Sequence, residues 1–139
     1  MQRRAYLGAV VGTGVVATAG CLDGLRVSTD FDLVDPQLAS DASPDIALEG
    51  DTVTARGTVQ YGSSRCGTVE LAHAKYENSQ DRLDLLVVAA NDYWRFGACT
   101  DDLVETGYRL EARVHGGVRR ATITEHDVFG EAYSASVEE

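Results

Sequence analysis

From residue 27 onward the chain alternates between apolar and polar positions. Val27, Thr29, Phe31 and Leu33 fall on one side of an extended backbone, with Ser28, Asp30 and Asp32 between them. Period-two patterning marks a strand with one face buried. A polar loop from Asp35-Pro36 to Pro44-Asp45 holds both prolines, and Ile46 to Leu48 reads as a short strand. Glu49-Gly50-Asp51 is a turn. Val53, Ala55, Gly57, Val59 and Tyr61 then alternate with polar residues until Gly62-Ser63-Ser64-Arg65 breaks the run. Thr68 to Tyr76 is the next strand, with Val69 and Leu71 pointing inward. Asn78 to Asp81 turns the chain into Leu83–Ala90, whose apolar character places it centrally in a sheet. Asp92 to Thr106 reads as a long loop.

Gly116-Gly117 lies between two further alternating runs and reads as a two-residue hairpin turn requiring positive φ. Pairing outward from it sets His115 opposite Val118, Val114 opposite Arg119, Ala112 opposite Ala121 and Leu110 opposite Ile123. Arg109, Glu111, Arg113, Arg120, Thr122 and Thr124 then share the other face, and a one-residue slip would mix the two sets. No helix-period stretch follows Cys21, and there is no internal repeat. About seven short strands in 100 residues predict an all-β, antiparallel β-sandwich of immunoglobulin-like type. The Cys-Trp-Cys spacing of antibody domains is not matched, which leaves the strand order open.

The first twenty-one residues have a different organisation. Arg3 and Arg4 precede an uncharged run from Ala5 to Gly20, which ends in Thr18-Ala19-Gly20-Cys21. A basic start, an apolar stretch and small residues before a cut site make an export signal. The run is shorter than the roughly 20 apolar residues of a spanning helix. Arg3-Arg4-Ala5-Tyr6-Leu7 resembles the twin-arginine translocation motif, with Gln2 in place of the usual Ser or Thr and Tyr6 in place of Phe. Thr18-Ala19-Gly20-Cys21 resembles a lipoprotein box, with Thr18 where Leu is usual. The resemblance implies export, cleavage before Cys21 and lipidation of Cys21, hence a membrane anchor on the extracytoplasmic face. The expected layout is a signal over 1–20, a lipidated cysteine and short tether over 21–25, a sandwich over 26–130 and an acidic tail over 131–139.

Charge extends this picture. The chain carries 12 Lys and Arg against 22 Asp and Glu, and Lys75 is its single lysine. Without Arg3 and Arg4 the balance is about −12. Such a balance, together with the signal, resembles lipoproteins of halophilic archaea, where at about 1 M salt a Debye length near 3 Å makes self-repulsion weak. An acidic lipoprotein from ordinary salinity is the alternative. Nucleic acid is not an expected partner, because binding phosphates needs a basic face, and Arg113, Arg119 and Arg120 are the densest basic spot.

Cys66 and Cys99 remain once Cys21 is assigned to the anchor. The strand order places both at one end of the sandwich, and an oxidising compartment favours their disulfide. Closing a loop of this length stabilises by about 3–4 kcal/mol. The alternative is a metal or redox site with His73. His115 and His126 lie at opposite ends of the hairpin and cannot share an ion, and the two cysteines lack Cys-x-x-Cys proximity. Tyr93-Trp94-Arg95-Phe96 is the aromatic loop beside Cys99. It reads either as a recognition patch or as a plug over the sandwich end. Ser63, Ser64 and His73 lack a nucleophile elbow. Asp101, Asp102 and Glu105 lack calcium-loop spacing and read as a solvated acidic loop.

The expectation is therefore a non-catalytic, lipid-anchored β-domain without a cofactor or metal, serving binding or envelope structure. Its protein or small-molecule contacts would be made at the Cys66/Cys99 end. The alternatives are a small metal- or redox-active protein using Cys66, Cys99 and His73, and an accessory subunit of a membrane complex.

Overall fold

The alternating runs form eight strands in the computed structural model, which describes residues 26–91 and 98–139. In chain order they are β1 (Val27–Val34), β2 (Asp45–Glu49), β3 (Thr52–Tyr61), β4 (Gly67–Glu77), β5 (Arg82–Asn91), β6 (Val104–Val114), β7 (Arg120–His126) and β8 (Ala132–Glu138). One sheet has the order β1-β6-β3-β2 and the other β4-β5-β7-β8. Inward rows from both sheets meet in one core. Val53, Ala55, Val59, Leu110, Ala112 and Val114 come from the first, and Val69, Tyr76, Leu83, Leu85, Val87, Ala121 and Ile123 from the second. The all-β sandwich expected from the sequence is the fold, with eight strands among the described residues where about seven were expected.

The Gly116-Gly117 segment is not a hairpin. β6 pairs with β1 and β3, whereas β7 pairs with β5 and β8. Leu110 sits between Phe31 and Ala55, and Ile123 between Leu85 and Ala135. Both glycines do have positive φ, 99° and 96°, but the turn carries the chain from one sheet to the other. β7 therefore enters its sheet from the end where β5 also begins, and this pair is parallel. The expected faces were correct: Leu110, Ala112, Ala121 and Ile123 are all fully buried. Period two reports which side of a strand is buried. It does not report whether the apolar partner lies beside that strand or across the interior.

Three further expectations change. Val104 to Thr106 belong to β6 rather than to a loop. Residues 131–139 are not a tail, since Ala132–Glu138 is an edge strand paired with β7 along its whole length. Its half-buried Tyr133, Ala135 and Val137 alternate with exposed Ala132, Ser134 and Ser136, a pattern masked in the sequence by flanking glutamates. In β4 the register with β5 shifts between Leu71 and His73. This bulge at Ala72 reverses the parity, so Val69 and Tyr76 both face inward and Lys75 stays exposed. Leu71, expected inward, is half-buried beside the bulge.

Candidate functional site

The end of the sandwich where β3 leads into β4 is braced twice. Cys66 and Cys99 form a disulfide with Cα atoms 5.5 Å apart. This bond brings together the pair expected from the sequence and leaves neither sulfur free to bind a metal. The Cys66 N–H donates to Ser63 Oγ at 3.1 Å, and Ser63 itself is buried. Asp102 supplies the second brace. Its Oδ1 accepts from the Ser64 N–H at 2.9 Å and from the Thr100 hydroxyl at 2.6 Å. Thr100 Oγ1 also accepts from the Arg65 N–H at 3.3 Å. These hydrogen bonds, those from Ser64 first, lower the Asp102 carboxyl to a pKa of about 2. Asp102 is thus a staple between the two loops, not simply a solvated acid; Ser63 is bonded within the turn, and Ser64 is bonded across it to Asp102 and Thr100.

The same end gathers exposed apolar side chains. Among the described residues the exposed large hydrophobics are Leu33, Leu103, Val128 and Phe129, the last 64% exposed. Leu33 is next to last in β1, and Leu103 immediately precedes β6. Val128 donates its N–H to the Gln60 carbonyl at 3.1 Å, next to Tyr61 at the end of β3. The Phe129 and Glu131 N–H groups both donate to Asp127 Oδ1 at 2.9 Å, which fixes the turn that presents Phe129. Tyr93, Trp94, Arg95 and Phe96 lie outside the described residues, as do Arg3, Arg4 and Cys21.

Arg26 lies at the opposite end. Its carbonyl accepts from the His115 N–H at 2.7 Å, its guanidinium donates to Asn78 Oδ1 at 2.8 Å, and it stands 5.6 Å over the Tyr76 ring. The eight residues of β1 separate it from the braced end by about 26 Å at 3.3 Å per residue. A shallow depression of about 160 Å³ at the Arg26 end is lined by Gln80, Arg119, Arg120, Glu138 and Glu139. It is smaller than the roughly 300–1,000 Å³ of a typical ligand pocket.

One acidic residue is missed by the sequence reading. Glu125 occupies the inward row of β7 with Ala121 and Ile123, and is only 1% exposed. Its Oε2 accepts from the Tyr108 hydroxyl at 2.6 Å, while Oε1 has no partner among the described residues. Burial raises the carboxyl pKa to about 7 against the opposing effect of the Tyr108 bond. Burial, followed by the nearby carboxylate, also pushes the Tyr108 phenol up. Gly57 makes room for this pair: a Cβ there would overlap Glu125 Oε2 and press on the Tyr108 ring. A signal was present, since Val53-Ala55-Gly57-Val59 has one empty slot and Ala121-Ile123-Glu125 has one acid in an apolar row.

His73 lies beyond the bulge on β4, His126 ends β7 and His115 is at the far end. Among the described residues no group of three or more His, Cys, Asp or Glu converges as a metal site. No helix among them is long and apolar enough to cross a membrane. No family model, no curated protein and no solved structure matches this chain.

Proposed function

We propose that this chain is a twin-arginine-exported lipoprotein, held at the extracytoplasmic face through Cys21, whose sandwich is a non-catalytic binding module. The observation that carries the reading is polarity along the long axis. Arg26, where the tether would join, is at one end, and Leu33, Leu103, Val128 and Phe129 are gathered at the other. An anchor at Cys21 would therefore turn the braced, apolar end away from the membrane. Exposed aromatic and aliphatic groups on fixed loops are typical of contact surfaces. The proposal extends to Tyr93, Trp94, Arg95 and Phe96, because the chain leaves the described structure at Asn91 and re-enters it at Ala98 beside Cys99. The acidic surface is in keeping with a salty exterior, where carboxylates keep a protein hydrated.

Two measurements test this reading. Cys21→Ser should move the protein from the membrane fraction to the soluble fraction, and intact mass should show loss of residues 1–20 with added acyl chains in the wild type. A photo-cross-linking side chain at Phe129 should give adducts in intact cells that the same group at Gly117 does not give. A full-length, unacylated chain, or equal labelling from both positions, would overturn the proposal.

A further inference from the structure

Among the described residues four strands form the edges of the two sheets, and three carry features that oppose pairing with another chain. β1 presents Asp30 and Asp32. β2 has five residues and is bounded by Asp45 and Glu49. β4 is bulged between Leu71 and His73 and carries Glu70 and Lys75. Charge, short length and bulges are the means by which native sheets keep their edges unpaired. β8 has none of them. From Ala132 to Val137 it contains no charge, proline or glycine, and its register with β7 is unbroken. Its one charged residue, Glu138, is paired with Arg120 at 3.0 Å.

The phase of the ladder shows which backbone groups are open. The Asp127 N–H donates to the Glu131 carbonyl at 3.1 Å, and the Glu139 N–H to the Arg119 carbonyl at 2.9 Å. Both pairs continue the β7–β8 register, and hydrogen-bonded pairs alternate with open ones in an antiparallel ladder. Tyr133, Ala135 and Val137 thus turn their N–H and C=O groups toward β7. Ala132, Ser134, Ser136 and Glu138 turn theirs to the open edge, and all four residues are exposed.

We propose that β8 is a self-association edge through which two copies of this chain pair antiparallel about a two-fold axis at Ala135. This register engages all four outward residues. It sets Ser134 opposite Ser136 of the second copy, Ala132 opposite Glu138 and Tyr133 opposite Val137. Ala135 meets its own counterpart in a close, non-hydrogen-bonded position. The neutral row from Ala132 to Val137, which is self-complementary in this register, argues for a second copy as the occupant. Two copies meeting through β1 or β2 would instead bring the carboxylates of Asp30 and Asp32, or Asp45 and Glu49, into the contact. Along β8 the stretch from Ala132 to Val137 carries none, and the like charges this register brings together, Glu131 and Glu139, lie beyond the ends of the strand. An isologous pair also closes on itself, which consumes the edge and prevents further growth. Because β8 lies on the flank of the sandwich, the pairing leaves the braced end clear and does not depend on the proposed anchor.

Cysteine cross-linking of the full chain tests this. At a non-hydrogen-bonded antiparallel position the Cα atoms are about 4.5 Å apart, within the roughly 4.4–6.8 Å that a disulfide spans. In a Cys21→Ser background, Ala135→Cys should therefore give a covalent dimer on mild oxidation, while that background alone and Ser28→Cys on β1 stay monomeric. Adding Ser134→Pro removes an outward N–H without breaking the β7 ladder, and should abolish the dimer. Ser134→Glu with Ser136→Glu sets carboxylates opposite one another on a solvent-exposed edge. It should lower cross-linking about fivefold or more with the fold retained. A natively folded Ala135→Cys chain that remains monomeric would overturn the proposal. So would equal cross-linking by Ser28→Cys, or a dimer indifferent to the paired glutamates.

Discussion

The Tyr108 hydroxyl donates a 2.6 Å hydrogen bond to the buried carboxyl group of Glu125. The pair joins the two sheets, since Tyr108 belongs to β6 and Glu125 to β7. Phe31 stacks on Tyr108 with ring centroids 5.7 Å apart, which fixes the phenol from the β1 side. On the inner face the other titratable group beside Glu125 is Tyr133, its register partner on β8, with Asp41 and Asp127 near that ring.

This burial makes stability pH-dependent with an unusual sign. The Glu125 carboxyl rises from 4.5 to about 7 on folding, so the folded state favours the protonated form. Its contribution is fully present below pH 4.5 and is lost as pH rises to about 7. At 1.36 kcal/mol per unit the loss is about 3 kcal/mol. Glu125→Gln should flatten this dependence in denaturant titrations between pH 4.5 and 8. A wild-type curve that rises over that range, with the Gln variant superimposed on it, would refute the assignment.

Gly57 and Glu125 are sterically coupled. Gly57→Ala places a methyl where Glu125 Oε2 lies, so overpacking of about 1–3 kcal/mol is expected. Glu125→Ala in the same chain vacates that space. A double-mutant cycle should return a favourable coupling above about 0.5 kcal/mol. Additive effects would mean that the two residues do not share the space.

At the braced end the covalent and polar links close the same pair of loops. Replacing Cys66 and Cys99 by alanine should lower stability by about 3 kcal/mol. Asp102→Ala should cost little while the disulfide holds the loops and more once it is removed. Asp102 has a depressed pKa, so its contribution is present above pH 3.8 and fades as pH falls to about 2. NMR titration of the carboxyl carbons would follow Asp102 and Glu125 at opposite extremes in one experiment.

Much of this architecture was legible in the order of residues. The strand positions of β1 to β5, the turn at Gly50, the meeting of Cys66 with Cys99 and the sorting of Leu110, Ala112, Ala121 and Ile123 to the interior all follow from local pattern. Period two and turn chemistry act over a few residues, so one strand at a time suffices to read them. The Ala72 bulge was not legible, because a single extra residue looks like a weak stretch of alternation until the partner strand counts against it. Ala132–Glu138 was hidden for a similar reason: composition at its ends outweighed alternation within it. Asp102 looked like one more surface acid, since its partners Ser64 and Thr100 meet it only when the loops close.

Local chemistry by itself determined that the region after Cys21 would be built of strands, with an apolar row, a polar row and one covalent brace. The tertiary structure decided which rows are neighbours. It sent β6 and β7 to different sheets, placed β7 parallel to β5, and enclosed the Tyr108–Glu125 pair in the space left by Gly57. The physical reason is that burial depends only on which side of a strand an apolar group occupies. Pairing and carboxyl ionisation depend on groups that arrive from distant parts of the chain.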